Sequence, residues 1–109
     1  MKRYCFALDL RDDAELIKGY DEWHTRVSPE IKKSITDAGI IQMDMYRTGN
    51  RMFMIVEAEE NFSLEEKAKR DAENPVVQKW EELMWQYQQP LPFAAPGEKW
   101  VLMKQIFQL

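Results

Sequence analysis

The side chains best suited to chemistry lie in one short stretch, from Tyr20 to Pro29. It contains His24, the single histidine of the chain, four residues after Tyr20. Residues four apart in a helix project from the same face, so the phenol and the imidazole would be neighbours. Imidazole is the only side chain whose unperturbed pKa lies near neutral pH, which suits it to general acid–base work. The stretch therefore predicts proton transfer, with the phenol orienting the imidazole or sharing its proton.

The alternative for His24 is a structural role. An isolated histidine on a partly apolar helix is more often a hydrogen-bonded structural residue than a catalytic one. A carboxylate beside the imidazole would orient it. The strand-borne candidates are Asp9, Asp44 and Glu57, although charged residues on the solvent side of an antiparallel strand are common. The residue types alone leave both roles open.

Metal and cofactor chemistry find little support in the residue types. One histidine and one cysteine, Cys5, exclude an internal disulfide and a thiolate zinc site, so a metal would need carboxylates alone. Glycine is scarce, and no phosphate-binding loop, nucleophile elbow or metalloprotease motif occurs. Cys5 lies in an apolar run and is expected to be a packed core thiol. An enzyme of this composition is expected to transfer protons on a small molecule without metal or cofactor.

Length and composition indicate one globular domain over residues 1–109. The hydrophobic fraction of 45% and the charged fraction of 31% are ordinary for such a protein. Fifteen basic and nineteen acidic residues give a formal charge of −4 without a basic block, which argues against nucleic acid or an anionic membrane as partner. No signal-peptide region develops at the N-terminus, and no apolar run approaches the roughly 20 residues of a membrane span. The expected location is the cytoplasm.

The elements that must position Tyr20 and His24 begin with a strand and a helix. A strand is predicted over Lys2 to Leu10, followed by a helix capped by Asp12 or Asp13. Ser28-Pro29 predicts an N-cap and a first helical residue, so the helix breaks or kinks there and restarts before Gly39 ends it. The apolar stripe of this region recurs at helical spacing through Leu16, Tyr20, Trp23, Val27 and Ile31.

The second half of the chain begins with a predicted hairpin. The strand-like runs Ile40 to Arg47 and Arg51 to Glu59 are joined by a Thr-Gly-Asn turn. Helices are predicted after a capping box at Ser63 and after Asn74-Pro75. A proline-rich loop leads to a final strand, Trp100 to Gln108. The order strand, helix, strand, strand, helix, strand predicts an α+β, ferredoxin-like βαββαβ fold with a four-stranded antiparallel sheet.

The predicted last strand carries apolar residues on both of its faces. Helices cover only one face of a ferredoxin-like sheet, so the other face needs a second cover. Pairing two such sheets is the simplest solution. The sequence therefore predicts a homodimer.

Several of these motifs together resemble the L-rhamnose mutarotase family. No single motif is specific, but the combination spans nearly the whole chain in the same order. The resemblance implies a dimeric, ferredoxin-like α+β barrel that interconverts the α and β anomers of a 6-deoxyhexose without a cofactor. The motifs are Tyr20-x-x-x-His24, Pro29-Glu30, the hairpin from Tyr46-Arg47 through Asn50 to Phe53, the run Val77-Gln78-Lys79-Trp80 and the closing Ile106-Phe107-Gln108-Leu109.

The resemblance also assigns roles to residues of this chain. It implies that His24 donates a proton, that Tyr20 binds the sugar, and that Trp80 is the first of two sugar-contacting tryptophans. The plain alternative for Trp80 is core packing, the more frequent fate of a helical tryptophan. The implied partner is a small sugar, L-rhamnose first and L-fucose as the alternative.

Three positions depart from the family's pattern. Ser28 stands in place of a tryptophan, Met43 in place of a second sugar-contacting tyrosine, and Glu81 in place of the second tryptophan. These changes are expected to alter which sugar fits more than the acid–base chemistry. A second hypothesis is a sugar-binding barrel that has lost turnover. A third, a cofactor-free monooxygenase-like or stress-related barrel protein, rests on fold analogy alone.

Overall fold

The computed structural model describes residues 1–109 as an antiparallel sheet with helices packed on one face. The strands run in the order β2-β3-β1-β4, and β5 pairs with β1 on the same edge as β4. This order is that of the predicted ferredoxin-like α+β fold. None of the helices has the length and apolar character that a membrane crossing requires. The elements are β1 Lys2–Leu10, α1 Ala14–Trp23, α2 Pro29–Asp37, β2 Ile40–Thr48, β3 Arg51–Ala58, α3 Leu64–Ala72, α4 Pro75–Trp85, β4 Gln88–Gln89 and β5 Val101–Leu102.

Each helix begins at a side chain that the sequence identifies as an N-cap. The capping oxygens accept first-turn backbone N–H groups that have no partner within the helix. The predicted break at Ser28-Pro29 is confirmed, but α1 already ends at Trp23, so His24 is its C-cap. Gly39 follows α2 with a φ of 99°, a conformation that favours glycine. The four N-caps are Asp13, Ser28, Ser63 and Asn74.

Alternate strand residues face the helices and form the core that supports the site. Leu8, Leu10 and Met52 are the largest fully buried side chains, and they pack with Tyr20 of α1 and Met84 of α4. A strand places every second residue on the same face, so this core fixes which β1 and β3 side chains point toward α1. A second cluster fills the other end of the sheet with Ile40, Val56, Ala58 and Phe62.

The last strand is much shorter than predicted. Only Val101–Leu102 pairs with β1, and the Met103 N–H makes a further bond of 2.7 Å to the Cys5 carbonyl. The residues beyond leave the edge of β1, and Ile106 is 90% exposed. Alternating apolar residues suggested a strand to Gln108, but a strand forms only where a partner edge lies alongside. The prediction of Trp100 to Gln108 was therefore wrong.

The sheet also has five strands instead of the predicted four. The additional strand is β4, which pairs with Asp9 and Leu10 immediately after α4 ends. Its sequence, Gln-Gln before Pro90, carries no strand pattern. Its position beside β1 nevertheless places the Gln88 side chain against α1, where it contacts Tyr20.

Candidate active site

A cavity of about 330 Å³ lies between α1 and the strands β2 and β3. This volume falls at the lower end of the range for small-molecule sites, so the cavity can hold a compact ligand. Tyr20 and His24, the pair singled out by the sequence, both line it. We call it the His24 cavity, and its lining residues are Tyr20, Asp21, His24, Thr25, Met45, Tyr46, Arg47 and Met52.

The imidazole of His24 is held by the end of its own helix. His24 caps α1, and its Nδ1 lies 2.8 Å from the Tyr20 carbonyl oxygen. A carbonyl oxygen only accepts hydrogen bonds, so Nδ1 carries the hydrogen and donates it. This bond exists in both the neutral and the protonated ring. Nε2 is thus the nitrogen that can gain or lose a proton without the ring having to turn.

The phenol of Tyr20 lies at the base of the cavity in a largely apolar setting. Tyr20 is only 3% exposed, and its Oη accepts a 3.0 Å hydrogen bond from Nε2 of the buried Gln88. Burial, which disfavours the phenolate, raises the pKa of Tyr20 to about 12. At neutral pH the phenol therefore keeps its hydrogen. Tyr20 is suited to donate a hydrogen bond and poorly suited to act as a base.

Aromatic side chains from α1 and α4 hold the imidazole from the side. The ring centroid of His24 lies 4.4 Å from that of Tyr20 and 5.7 Å from that of Trp80. Trp80 also meets Trp23 edge-on at 6.3 Å, and Trp23 Nε1 donates to Tyr87 Oη at 3.1 Å. Such edge contacts fix ring orientation beyond what burial alone provides. Trp80 contacts the imidazole but is not among the residues that line the cavity.

An ion pair joins the two sides of the cavity. Arg47 of β2 donates from Nε to Asp21 Oδ1 at 3.2 Å and from Nη2 to Asp21 Oδ2 at 2.5 Å. The hydrogen bonds and charge of Asp21 raise the pKa of the Arg47 guanidinium. Asp21 is the only carboxylate of the lining. The cavity therefore has an imidazole and a phenol on α1, and a charged pair that reaches across to β2.

The remaining residues named by the resemblance lie outside the lining. Met43 packs half-buried against the second core cluster, and Glu81 accepts a 3.3 Å hydrogen bond from Gln78. Ser28 caps α2, with its Oγ accepting from the Ile31 N–H at 3.3 Å. Sugar contacts by Met43, Glu81 and Trp80 stay predictions.

The strand carboxylates are also absent from the cavity. Asp9 is buried and forms a paired contact with Arg51, at 2.8 Å and 3.1 Å. Asp44 accepts from Gln42, and Glu57 faces Arg3 at 3.6 Å. No group of three or more His, Cys, Asp or Glu side chains is arranged to hold a metal ion.

Sequence reasoning missed Asp21 and Arg47, although weak signals were present. Asp21 and Thr25 are four apart, as Tyr20 and His24 are, so the helical spacing predicted for this stretch places them side by side next to that pair. Arg47 shares the face of β2 that carries Met43 and Met45, because strand side chains alternate with period two. What the sequence does not reveal is that this strip and this strand face lie opposite each other.

Known proteins match this chain over nearly its full length. The L-rhamnose mutarotase family matches residues 3–109. An L-fucose mutarotase of Xanthomonas campestris pv. campestris is 45% identical over 111 aligned residues, which cover 100% of this chain and 89% of the relative. An L-rhamnose mutarotase of Phocaeicola vulgatus is 33% identical over 89, covering 80% of this chain and 76% of the relative.

Solved structures agree on the fold. The crystal structure of an L-rhamnose mutarotase from Formosa agariphila superposes with a TM-score of 0.74 at 20% identity, covering 100% of this chain and 99% of the other. Tetracenomycin F2 cyclase of Streptomyces glaucescens superposes with a TM-score of 0.66 at 17% identity, over 100% and 97%. These two likenesses concern the fold alone, whereas the sequence matches identify the family. The chain belongs to the L-rhamnose mutarotase family, whose members are isomerases acting on carbohydrates.

Proposed function

We propose that this protein interconverts the α and β anomers of a 6-deoxy-L-hexose, with L-fucose preferred to L-rhamnose. One observation carries the proposal: in the His24 cavity the imidazole donates from Nδ1 to a backbone carbonyl and so has Nε2 reserved for proton transfer. Mutarotation is a proton-transfer reaction that needs no redox partner and no group donor.

The chemistry requires one proton delivered and one removed. The protonated His24 donates from Nε2 to the ring oxygen as the bond between that oxygen and C1 breaks, while the anomeric hydroxyl loses its proton to water at the mouth of the cavity. C1 becomes an aldehyde carbon, and rotation about C1–C2 presents its other face. On closure Nε2 takes back the proton from the C5 hydroxyl, and the water that accepted the first proton returns it to the new anomeric oxygen. The fixed Nδ1–H serves both forms of the ring.

Tyr20 has a supporting part in this scheme. Its phenol keeps its hydrogen at neutral pH and can donate it to a sugar oxygen beside the imidazole. The assignment of sugar binding to Tyr20 follows the resemblance, and its place in the cavity supports it.

The choice between the two sugars rests on similarity and on the departures from the family's pattern. The L-fucose mutarotase aligns with the whole chain at 45% identity, whereas the L-rhamnose mutarotase aligns with 80% of it at 33%. Ser28, Met43 and Glu81 stand where that pattern has aromatic residues. These observations favour a sugar with another arrangement of hydroxyl groups than L-rhamnose.

Anomer-exchange NMR tests the proposal directly. We expect the protein at micromolar concentration to accelerate exchange between the C1 proton signals of the two anomers of L-fucose. The same protein should accelerate the exchange of L-rhamnose by a smaller factor. A sample without protein gives the spontaneous rate. Ligand-dependent thermal stabilisation without faster exchange would instead support the sugar-binding barrel without turnover. Faster exchange of L-rhamnose than of L-fucose would reverse the assigned preference.

We also propose that the protein is a homodimer. Support comes from apolar residues at the end of β5 and beyond it that have no cover within the chain: Leu102, Met103, Ile106, Phe107 and Leu109 are all exposed. An exposed apolar run of this extent is typical of an association surface. Size-exclusion chromatography with light scattering is expected to give twice the 13.0 kDa mass of one chain. A mass of one chain at micromolar concentration would contradict it. A cytoplasmic location remains a prediction from the sequence.

A further inference from the structure

We infer that the ion pair between Asp21 and Arg47 binds neighbouring hydroxyl groups of the sugar, away from the anomeric carbon, and so determines which hexose is accepted. This inference rests on the proposed function and deepens it. The pair shares the His24 cavity with the imidazole, but it is the part of the lining that carries formal charge of both signs at neutral pH.

The geometry makes the pair a preorganised binding group. Asp21 comes from α1 and Arg47 from β2, 26 residues later. Both carboxylate oxygens accept from the guanidinium, and a second terminal nitrogen, Nη1, donates to the Gly49 carbonyl at 2.8 Å. Three bonds fix the plane of the Arg47 side chain before any ligand enters. A ligand that binds such a group loses little additional freedom.

The bonds within the protein leave capacity for a ligand. A guanidinium has five N–H groups, and three are engaged here. Each oxygen of Asp21 accepts one bond and can accept another, and its side chain is 51% exposed. Free donors next to free acceptors match sugar hydroxyls, because every hydroxyl both donates and accepts.

The rest of the lining cannot easily provide this recognition. Met45 and Met52 are apolar, and Thr25 already donates its hydroxyl hydrogen to the Glu22 carbonyl at 2.7 Å. Tyr20 and His24 are assigned to the reacting centre. Beside the exposed phenol of Tyr46, the Asp21–Arg47 pair is therefore the part of the lining with polar groups free to distinguish hexoses by hydroxyl configuration.

The Asp21–Arg47 ion pair is not needed for the stability of the fold. Ion pairs at the surface contribute little to folding, and both side chains here are partly exposed. Replacing either residue should leave the fold intact. Changes in sugar binding can then be attributed to the site itself.

The test compares Asp21→Asn and Arg47→Gln with the unaltered protein on L-fucose and L-rhamnose. A hydrogen bond to a charged group is worth enough that losing it should lower kcat/KM for the preferred sugar about 10- to 100-fold, mainly through a higher KM. The value of kcat/KM for the less preferred sugar should fall less, so that the ratio of kcat/KM between the two sugars becomes smaller. Lys33→Gln is the matched control, since it breaks another ion pair at 2.5 Å, with Asp37, outside the cavity. This variant should leave kcat/KM unchanged for both sugars.

Each result bears on the inference. Unchanged kinetics, or an equal loss of kcat for both sugars with KM constant, would overturn it; the second result would place Asp21 in the chemistry instead. If the unaltered protein accelerates exchange of neither sugar, the proposed function fails. Affinities for both sugars from saturation-transfer NMR then decide separately whether the pair discriminates between them. Equal affinities for a given sugar in Arg47→Gln and the unaltered protein would again overturn the inference.

Discussion

Replacement of His24 by glutamine is expected to lower the catalysed rate of anomer exchange by about 100- to 10 000-fold, the usual value of one general acid–base group. Glutamine can still donate an N–H to the Tyr20 carbonyl, which His24 Nδ1 reaches at 2.8 Å, but it cannot carry a proton between two oxygens. His24→Ala removes both the hydrogen bond and the proton transfer, and it is expected to lower the catalysed rate by the same factor. Exchange NMR on L-fucose measures both variants.

The fold should survive either replacement. His24 is half-buried at the end of α1, and its side chain makes one hydrogen bond, which is worth about 0.5 to 1.5 kcal/mol. Urea unfolding of each variant provides the control, because a loss of activity without unfolding assigns the effect to the imidazole. Full activity in His24→Ala would remove His24 from the mechanism and leave it the structural residue that its isolation first suggested.

Local signals in the sequence were sufficient for most of the fold. An N-cap such as Ser28 followed by proline is recognised by the first turn alone, and so is a glycine such as Gly39 that must adopt a positive φ. Tyr20 and His24 could be placed together because helical spacing fixes their relation. These features depend on contacts between residues no more than about four positions apart, and such contacts can be predicted from the sequence alone.

The missing parts depend on contacts between distant residues. Gln88 reaches Tyr20 across 68 positions, and Arg47 reaches Asp21 across 26. Neither glutamine nor arginine in a strand is unusual, so no pattern marks them. The predicted length of the last strand was wrong for a related reason: alternation indicates a preference for the strand conformation, but it does not show that the chain leaves the edge of β1 after Met103.

Replacement of Tyr20 by phenylalanine is expected to lower both stability and turnover, for different reasons. Without Oη, the side-chain N–H of Gln88 loses its partner at 3.0 Å in a site that is 5% exposed. A buried donor left without a partner costs about 1 to 3 kcal/mol. Turnover should fall about 10-fold because the sugar loses one donated hydrogen bond beside the imidazole. Urea unfolding and exchange NMR measure the two effects independently.

The double variant Tyr20→Phe/Gln88→Leu separates these two effects. With both polar partners replaced by apolar groups, no buried donor remains, so most of the lost stability should return. Turnover should stay low, because no phenol faces the sugar. Gln88→Leu alone keeps the phenol and serves as the matched control, in which turnover should fall less. Recovery of turnover together with stability would mean that the only role of the Tyr20 hydroxyl is to accept the hydrogen bond from Gln88. Strictly additive losses of stability would mean that the two side chains are not coupled.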